Sequence, residues 1–354
     1  MKKILVSFIH GYRNLKQNNQ NKLRPCLLKI ENNIRSIYSY PFPRSPKEFD
    51  QNEIVVGKKP LKNSLEFKKM PRYGLMGLAQ DANHYYAGSW NGVYQLNKKD
   101  LSLRKIISHQ LMSDLHGICI NKGKLLHMII GLDTVVMTDL NGNIIDFFSI
   151  DKNLKIKRDK SILKVDWRFI TKQHRGSTGF FHFNHIQVIN NKIWITSRNL
   201  NCFIMVNLLT NKATLRTMNF SSVALIHDGY HYKDQIYLTS IDGKIIIADK
   251  TQKSSEINRT GPNKKLFNRD LIAQMIDINN NIIKGKSNWC RGIKVTKDRI
   301  FITIDGRYDS KLRFSLLEID KYSLKLIRRS DYSWSKLDKK EKLRYVTGFD
   351  ILID

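Results

Sequence analysis

Cysteine is scarce in these 354 residues: Cys26, Cys119, Cys202 and Cys290 are widely separated, and no two form a CxxC pair. That spacing excludes a cysteine zinc knuckle and argues against a disulfide framework. Cys119, in the alternating run GICI, reads as a small buried side chain. Long apolar runs are also missing, and nothing approaches the roughly 18–20 residues of a membrane-spanning helix. The stretch ILVSFI stops at His10 and Gly11, too short for a secretory h-region, so it reads as a strand. The cytoplasm is the expected compartment. No GxGxxG or GxxxxGK occurs, which removes dinucleotide and P-loop chemistry. Acidic side chains are few, 31 against 61 lysines and arginines, leaving a net charge of +30.

Such a charge attracts polyanions with salt-sensitive strength. Its lysines are scattered through turns such as NKKD, DKNLKIKRDK and LDKKEK rather than gathered on one helical face. The pattern suits a generally basic surface and leaves a polyanion, anionic-membrane or protein partner open.

What the chain has in abundance is repetition, the first thing to seek in a sequence of this length. Five segments share an opening turn, a strand, a polar turn and a second strand. They are GLMGLAQDANHYYAGS from Gly74, DLHGICINKGKLLHMI from Asp114, FNHIQVINNKIWITS from Phe183, IHDGYHYKDQIYLTS from Ile226 and CRGIKVTKDRIFITI from Cys290. Each continues into further short strands separated by NG, DG or NK turns. A sixth unit is split: YVTGFDILID at the C-terminus supplies its first strand, and KKILVSFI, RPCLLKIE and IRSIYSYP near the N-terminus supply the rest. The pattern predicts an all-β, six-bladed β-propeller over 1–354 as a single domain, closed by N- and C-terminal strands that share one blade. Closure of that kind removes free sheet edges. Longer loops fall near 151–180 and 250–288, and NRDLIAQMID within the second reads as a short helix. Long loops on a rigid scaffold commonly shape binding sites.

Aligned on the second strand, the repeats place Gly77, Gly117, His185, Asp228, Gly292 and Gly348 in one column. One position earlier stand Met76, His116, Asn184, His227, Arg291 and Thr347, with His182 two residues before Asn184. The innermost strands of a propeller line its channel, so these side chains are expected to converge at the channel mouth. Arg198, fourteen residues after Asn184, ends the next strand near the same mouth. Imidazole, amide, guanidinium and hydroxyl together suit a small tetrahedral oxyanion. Histidine can also act as nucleophile or general acid–base near neutral pH. The residue types leave alternatives open: His185 and Asp228 with other histidines are a possible metal set, against which Arg291 argues by repulsion. A non-enzymatic propeller binding a protein, glycan or nucleic acid through its basic surface is the other alternative.

The segment HFNHIQVINNKIWITSRN (182–199) resembles the aryl-sulfate sulfotransferase family, six-bladed propellers with an H-x-N-S motif and a following strand that ends in S-S-R. The resemblance implies sulfuryl transfer from a phenolic ester to a phenol through a sulfated histidine, with no nucleotide donor and no cofactor or metal. It implies His182, Asn184 and Arg198 as sulfate-pocket residues, His227 in HDG as nucleophile, His116 in DLHG as the acid–base histidine, and Thr347 as a late pocket threonine. Arg291 has no family counterpart, and His185 stands where the family has serine.

Overall fold

The computed structural model describes residues 3–12, 25–43, 45–61, 73–151, 153, 155–169, 181–200, 202–207, 209–210, 212–219, 225–249, 267–278, 289–305, 313–333 and 343–354. Six antiparallel blades follow one another around an axis, and the outermost strands of blades 3 and 4 join them into one sheet through a parallel pairing. Blade 1 runs outward through Leu78–Gln80, His84–Gly88, Val93–Asn97 and Leu103–Ser108. Blade 2 comprises Leu115–Asn121, Lys124–Ile129, Thr134–Thr138 and Ile144–Ile150. Blade 3 comprises Phe183–Ile189, Lys192–Ser197, Cys202–Asn207 and Lys212–Asn219. Blade 4 comprises Ile226–Tyr232, Gln235–Ser240, Lys244–Asp249 and Phe267–Asp277. Blade 5 comprises Trp289–Val295, Arg299–Asp305, Arg313–Asp320 and Leu326–Ser333. Blade 6 joins the termini: Leu343–Ile353 is innermost, and Ile4–Tyr12, Cys26–Glu31 and Ile34–Ser39 follow outward.

Strand side chains alternate between two faces, and in a propeller both faces of a blade meet a neighbour. That is why runs such as KIIIAD and RIFITI carry apolar residues at consecutive positions, on both faces of the strand. Leu126, Met128 and Phe148 of blade 2 pack against Phe183, Ile195 and Ile204 of blade 3. Tyr237 and Ile245 of blade 4 meet Ile293, Ile302 and Leu317 of blade 5. The seam between blades 5 and 6 buries Phe301, Phe314 and Leu316 against Val6, Phe8 and Leu28. Equivalent clusters fill the remaining three seams, so the apolar core is itself a closed ring.

One expectation fails. The segment NRDLIAQMID is not helical: Phe267–Asp277 is a strand paired antiparallel with Lys244–Asp249 and parallel with Lys212–Asn219. Blade 4 otherwise has only three strands, and the open edge of Lys244–Asp249 offers unpaired backbone groups. Satisfying them outweighs the segment's modest helical propensity. Residues 170–180, 250–266 and 279–288, which hold part of the first long loop and most of the second, lie outside the described residues.

A repeated hydroxyl links the blades close to the axis. Thr196 accepts the His185 backbone N–H (2.9 Å) and donates to the His227 carbonyl of blade 4 (2.9 Å). Thr239 accepts from the Asp228 N–H (3.2 Å) and donates to the Arg291 carbonyl of blade 5 (2.6 Å). Thr303 donates to the Gly348 carbonyl of blade 6 (2.9 Å). Ser7 accepts from the Asp350 N–H (3.0 Å) and donates to the Met76 carbonyl of blade 1. Three blades thus hold the backbone of the next blade's ring position, and blade 5 holds the adjacent glycine position of blade 6. Glycine recurs in the adjacent column because successive inner strands nearly touch. A Cβ on Gly77 would lie 2.7 Å from the Ile118 nitrogen, and one on Gly292 2.7 Å from the Phe349 oxygen.

Candidate functional site at the channel mouth

All six positions of the ring column are buried: Met76 (1% exposed), His116 (2%), Asn184 (1%), His227 (4%), Arg291 (9%) and Thr347 (0%). The cause lies in the strand register. The inner strands of blades 2 to 5 slip against their neighbours at this level, between Leu115 and Gly117, Phe183 and Ile186, Ile226 and Gly229, and Cys290 and Ile293. Blade 6 slips opposite Ser7 and Phe8, which leaves Phe349 unpaired. Bulges of this kind re-aim side chains and break strict alternation.

The bulge in blade 4 sets the centre of the site. From alternation, Asp228 should point away from His227. Instead the two hydrogen-bond, His227 Nδ1 to Asp228 Oδ2 at 3.0 Å. His227 Nε2 lies 2.8 Å from Arg291 NH1. A guanidinium has no acceptor, so it donates to Nε2, and the imidazole proton must sit on Nδ1, donated to Asp228. Burial holds the His227 pKa well below 6.5, reinforced by Arg291, His116, His182 and Arg198. Burial and the neighbouring Asp350 push the Asp228 carboxyl up, and Arg291 pulls it back. Four cationic or imidazole side chains therefore act on one neutral histidine.

The His116 ring centroid lies 6.2 Å from that of His182, and its Nδ1 is 3.4 Å from Asp114 Oδ1. Both amide atoms of Asn184 are buried without a hydrogen-bond partner, a costly state unless a ligand or water completes it. The Arg198 backbone N–H donates to the His182 carbonyl, which brings the start and end of this blade's hairpin together. Thr347 donates its hydroxyl to Asp305, whose Oδ2 is 3.9 Å from Arg291 Nε. Phe349 forms the floor. Its ring lies 5.1 Å from that of His116, 5.6 Å from that of His227 and 5.4 Å from the Arg291 guanidinium.

His185 lies elsewhere. Further along the inner strands is a second cavity of about 200 Å³, lined by His185 with Gln80, Gln187, Tyr230, Lys294 and Asp350. Burial there takes the His185 pKa down to about 3, with Lys294 and His231 adding to the effect.

Asp114, Asp133, Asp305, Asp350 and the Phe349 floor escaped the sequence reading, and two of these acids had a signal. Asp305 stands fourteen residues after Arg291, as Arg198 stands fourteen after Asn184. Asp114 stands two before His116, as His182 stands two before Asn184, and both take left-handed backbone angles, φ 55° and 47°. Comparing columns across blades would have found both. Asp133, at φ 45°, comes from a turn far from any such column.

Asp133 accepts the backbone N–H groups of Phe181 and His182, and so tethers the entry to blade 3. Burial outweighs those bonds and raises its pKa from 3.8 to about 7. The folded state then holds this proton more tightly than the unfolded chain. Its contribution to stability is full below pH 3.8 and is lost as pH rises toward 7. Asp133→Asn keeps a side chain that tolerates the left-handed conformation and removes the titration. The gap between variant and wild-type urea midpoints should widen in the variant's favour across that window; parallel midpoint curves would contradict this.

Among the described residues, no three His, Cys, Asp or Glu side chains come together as metal ligands, so the metal-dependent alternative has no ligand set within them. No helix is long and apolar enough to cross a membrane among those residues. No protein-family model matches the chain, and no curated protein does. Among solved structures, a chain in the crystal structure of a nidogen/laminin complex superposes with a TM-score of 0.53. The match covers 99% of this chain and 98% of that one, at 9% identity. The β-propeller domain of Myceliophteria thermophila Cps50 (Swd1) gives a TM-score of 0.46 at 7% identity, covering 86% of this chain and 82% of its own. U3-55K gives 0.45 at 7% identity, covering 88% and 76%. The first of these similarities extends to the fold and no further. The chain is a six-bladed β-propeller closed by its two termini.

Proposed function

We propose that the channel mouth binds the tetrahedral oxyanion of a small aromatic ester, and that His227 accepts the group as a covalent nucleophile, with sulfuryl transfer the chemistry it fits best. The observation that carries this reading is the state of His227: neutral, its Nδ1 proton held on Asp228 and its Nε2 lone pair facing Arg291. An incoming sulfate would take up donors from Arg291, the amide of Asn184, and His182 and Arg198 beside it. These groups favour the charge that builds on the equatorial oxygens in the transition state.

The step balances without a co-reactant. His227 Nε2 donates its lone pair to sulfur while the bond from sulfur to the aryl oxygen breaks, and the electron pair leaves with the phenolate. His116 supplies the phenolate's proton. In the return half-reaction His116 takes the proton of an acceptor phenol, whose oxygen attacks sulfur and releases Nε2. The imidazole stays bonded to Asp228 throughout, which stabilises the charge on the sulfated ring. The net charge of +30 draws an anionic donor toward the protein. The cytoplasm is the compartment this proposal assumes.

The test is release of nitrophenol from 4-nitrophenyl sulfate in the presence of an acceptor phenol, comparing wild type with Arg291→Gln. Turnover by wild type and a loss of about 10²-fold or more in the variant supports the proposal. A folded wild-type protein that releases no nitrophenol, yet binds a polyanion with steep salt dependence, would move function to the basic surface.

A further inference from the structure

A cavity of about 580 Å³ opens in the seam between blades 1 and 2 and shares no lining residue with the channel ring. It lies within the roughly 300–1,000 Å³ of sites that take cofactor-sized molecules. Two glycines shape its wall. Val55–Gly57 adds a parallel strand to the outer edge of blade 1, and a Cβ on Gly57 would lie 2.1 Å from the Ser108 oxygen. A Cβ on Gly142, in the turn before Ile144, would lie 3.1 Å from the Gly57 Cα. Only glycines let strand and turn approach this closely, and both have positive φ, 106° and 87°.

The cavity is graded in chemistry. At its buried end are His109 (0% exposed) and Gln110 (2%). The Leu111 backbone N–H donates to His109 Nδ1 at 3.3 Å, so the ring proton is on Nε2, and Nε2 has no partner. Gln110 Oε1 also has none. A donor and an acceptor are thus left unmet on adjacent residues, an unfavourable state unless something completes them. Ile144, Phe147 and Leu163 supply an apolar wall. At the open side Arg158 is engaged by Asp146 at 3.0 and 3.2 Å. Lys58 and Lys160 are exposed there, and neither makes an ion pair among the described residues.

We propose that this seam binds a heteroaromatic anion of mononucleotide size, its ring edge on His109 and Gln110, its ring face on Phe147, and its phosphate at Lys58 and Lys160. The order of zones decides between ligand classes. A purely apolar molecule would leave the buried donor and acceptor unmet, and a bare oxyanion would use only the rim. The site is separate from the channel, and the proposal is independent of sulfuryl transfer.

The test is calorimetric titration of the full-length protein with AMP, GMP, CMP and UMP, and with inorganic phosphate. Saturable binding of at least one nucleotide, tighter than phosphate, is expected. Lys160→Glu, an exposed substitution that leaves the core intact, should weaken it about tenfold. His109→Phe keeps the ring and removes the Nε2 donor, and should weaken it comparably. His227→Ala should bind as wild type does, which separates this site from the channel. Absence of saturable binding at millimolar nucleotide, phosphate binding as tightly as every nucleotide, or nucleotide affinity unmoved by Lys160→Glu would each overturn the proposal.

Discussion

His227→Ala is expected to lower aryl-sulfate turnover by at least about 10⁴-fold, the scale seen when a covalent nucleophile is removed from an otherwise intact site. The protein should stay folded, because the His227 backbone carbonyl remains held by Thr196. His227→Gln is the sharper variant: it can still accept from Arg291, yet offers no nucleophilic nitrogen. The pH profile carries a second signature. Burial, Arg291 and the neighbouring imidazoles keep His227 neutral well below pH 6.5. The acid limb of kcat/KM should therefore fall well below that value, where a solvent-exposed histidine would have placed it. Equal activity in wild type and both variants would remove His227 from the chemistry.

The largest expected loss of stability comes from a residue remote from the channel. Arg168 is wholly buried and forms two bonds to Asp166, NH2 to Oδ2 at 2.7 Å and Nε to Oδ1 at 2.9 Å. Its guanidinium lies 5.3 Å from the Phe49 ring and 5.6 Å from the Phe169 ring, and it donates to the Lys58 carbonyl. Asp166 also accepts the Leu61 N–H at 3.2 Å. This pair fastens the segment after blade 2 to the short helix Pro46–Gln51 and the outer edge of blade 1. Arg168→Met keeps much of the volume but strands the Asp166 charge, a change that costs about 3–5 kcal/mol. Adding Asp166→Asn should return much of that loss, since no unpaired charge is left. Urea unfolding of the single and double variants measures both. A single variant within about 1 kcal/mol of wild type would mean that the pair contributes little.

The blades were legible because an apolar strand, a polar turn and a second apolar strand recur, and the split sixth unit was legible because its two halves complement each other. The column that holds His116, Asn184, His227, Arg291 and Thr347 is legible in that repeat, and all five side chains are buried. What the sequence hid depends on geometry that a column cannot carry. The bulge between Ile226 and Gly229 brings Asp228 onto His227, whereas simple alternation separates them. His185 adjoins Asn184 in sequence yet lines the cavity farther down the channel. Phe349 reads as an ordinary core residue, and only the slip opposite Ser7 and Phe8 sets it beneath three other blades' side chains. The strand Phe267–Asp277 was hidden because the two edges that hold it extended, Lys244–Asp249 and Lys212–Asn219, are tertiary partners that its own residues do not encode.

The most direct measurement is the intact mass of the protein after incubation with 4-nitrophenyl sulfate and no acceptor, for wild type and His227→Gln. A covalent histidine predicts a gain of one sulfuryl group in wild type alone, lost again when a phenol is added. Folded wild-type protein that stays unmodified, or a variant that gains the same mass, would contradict it.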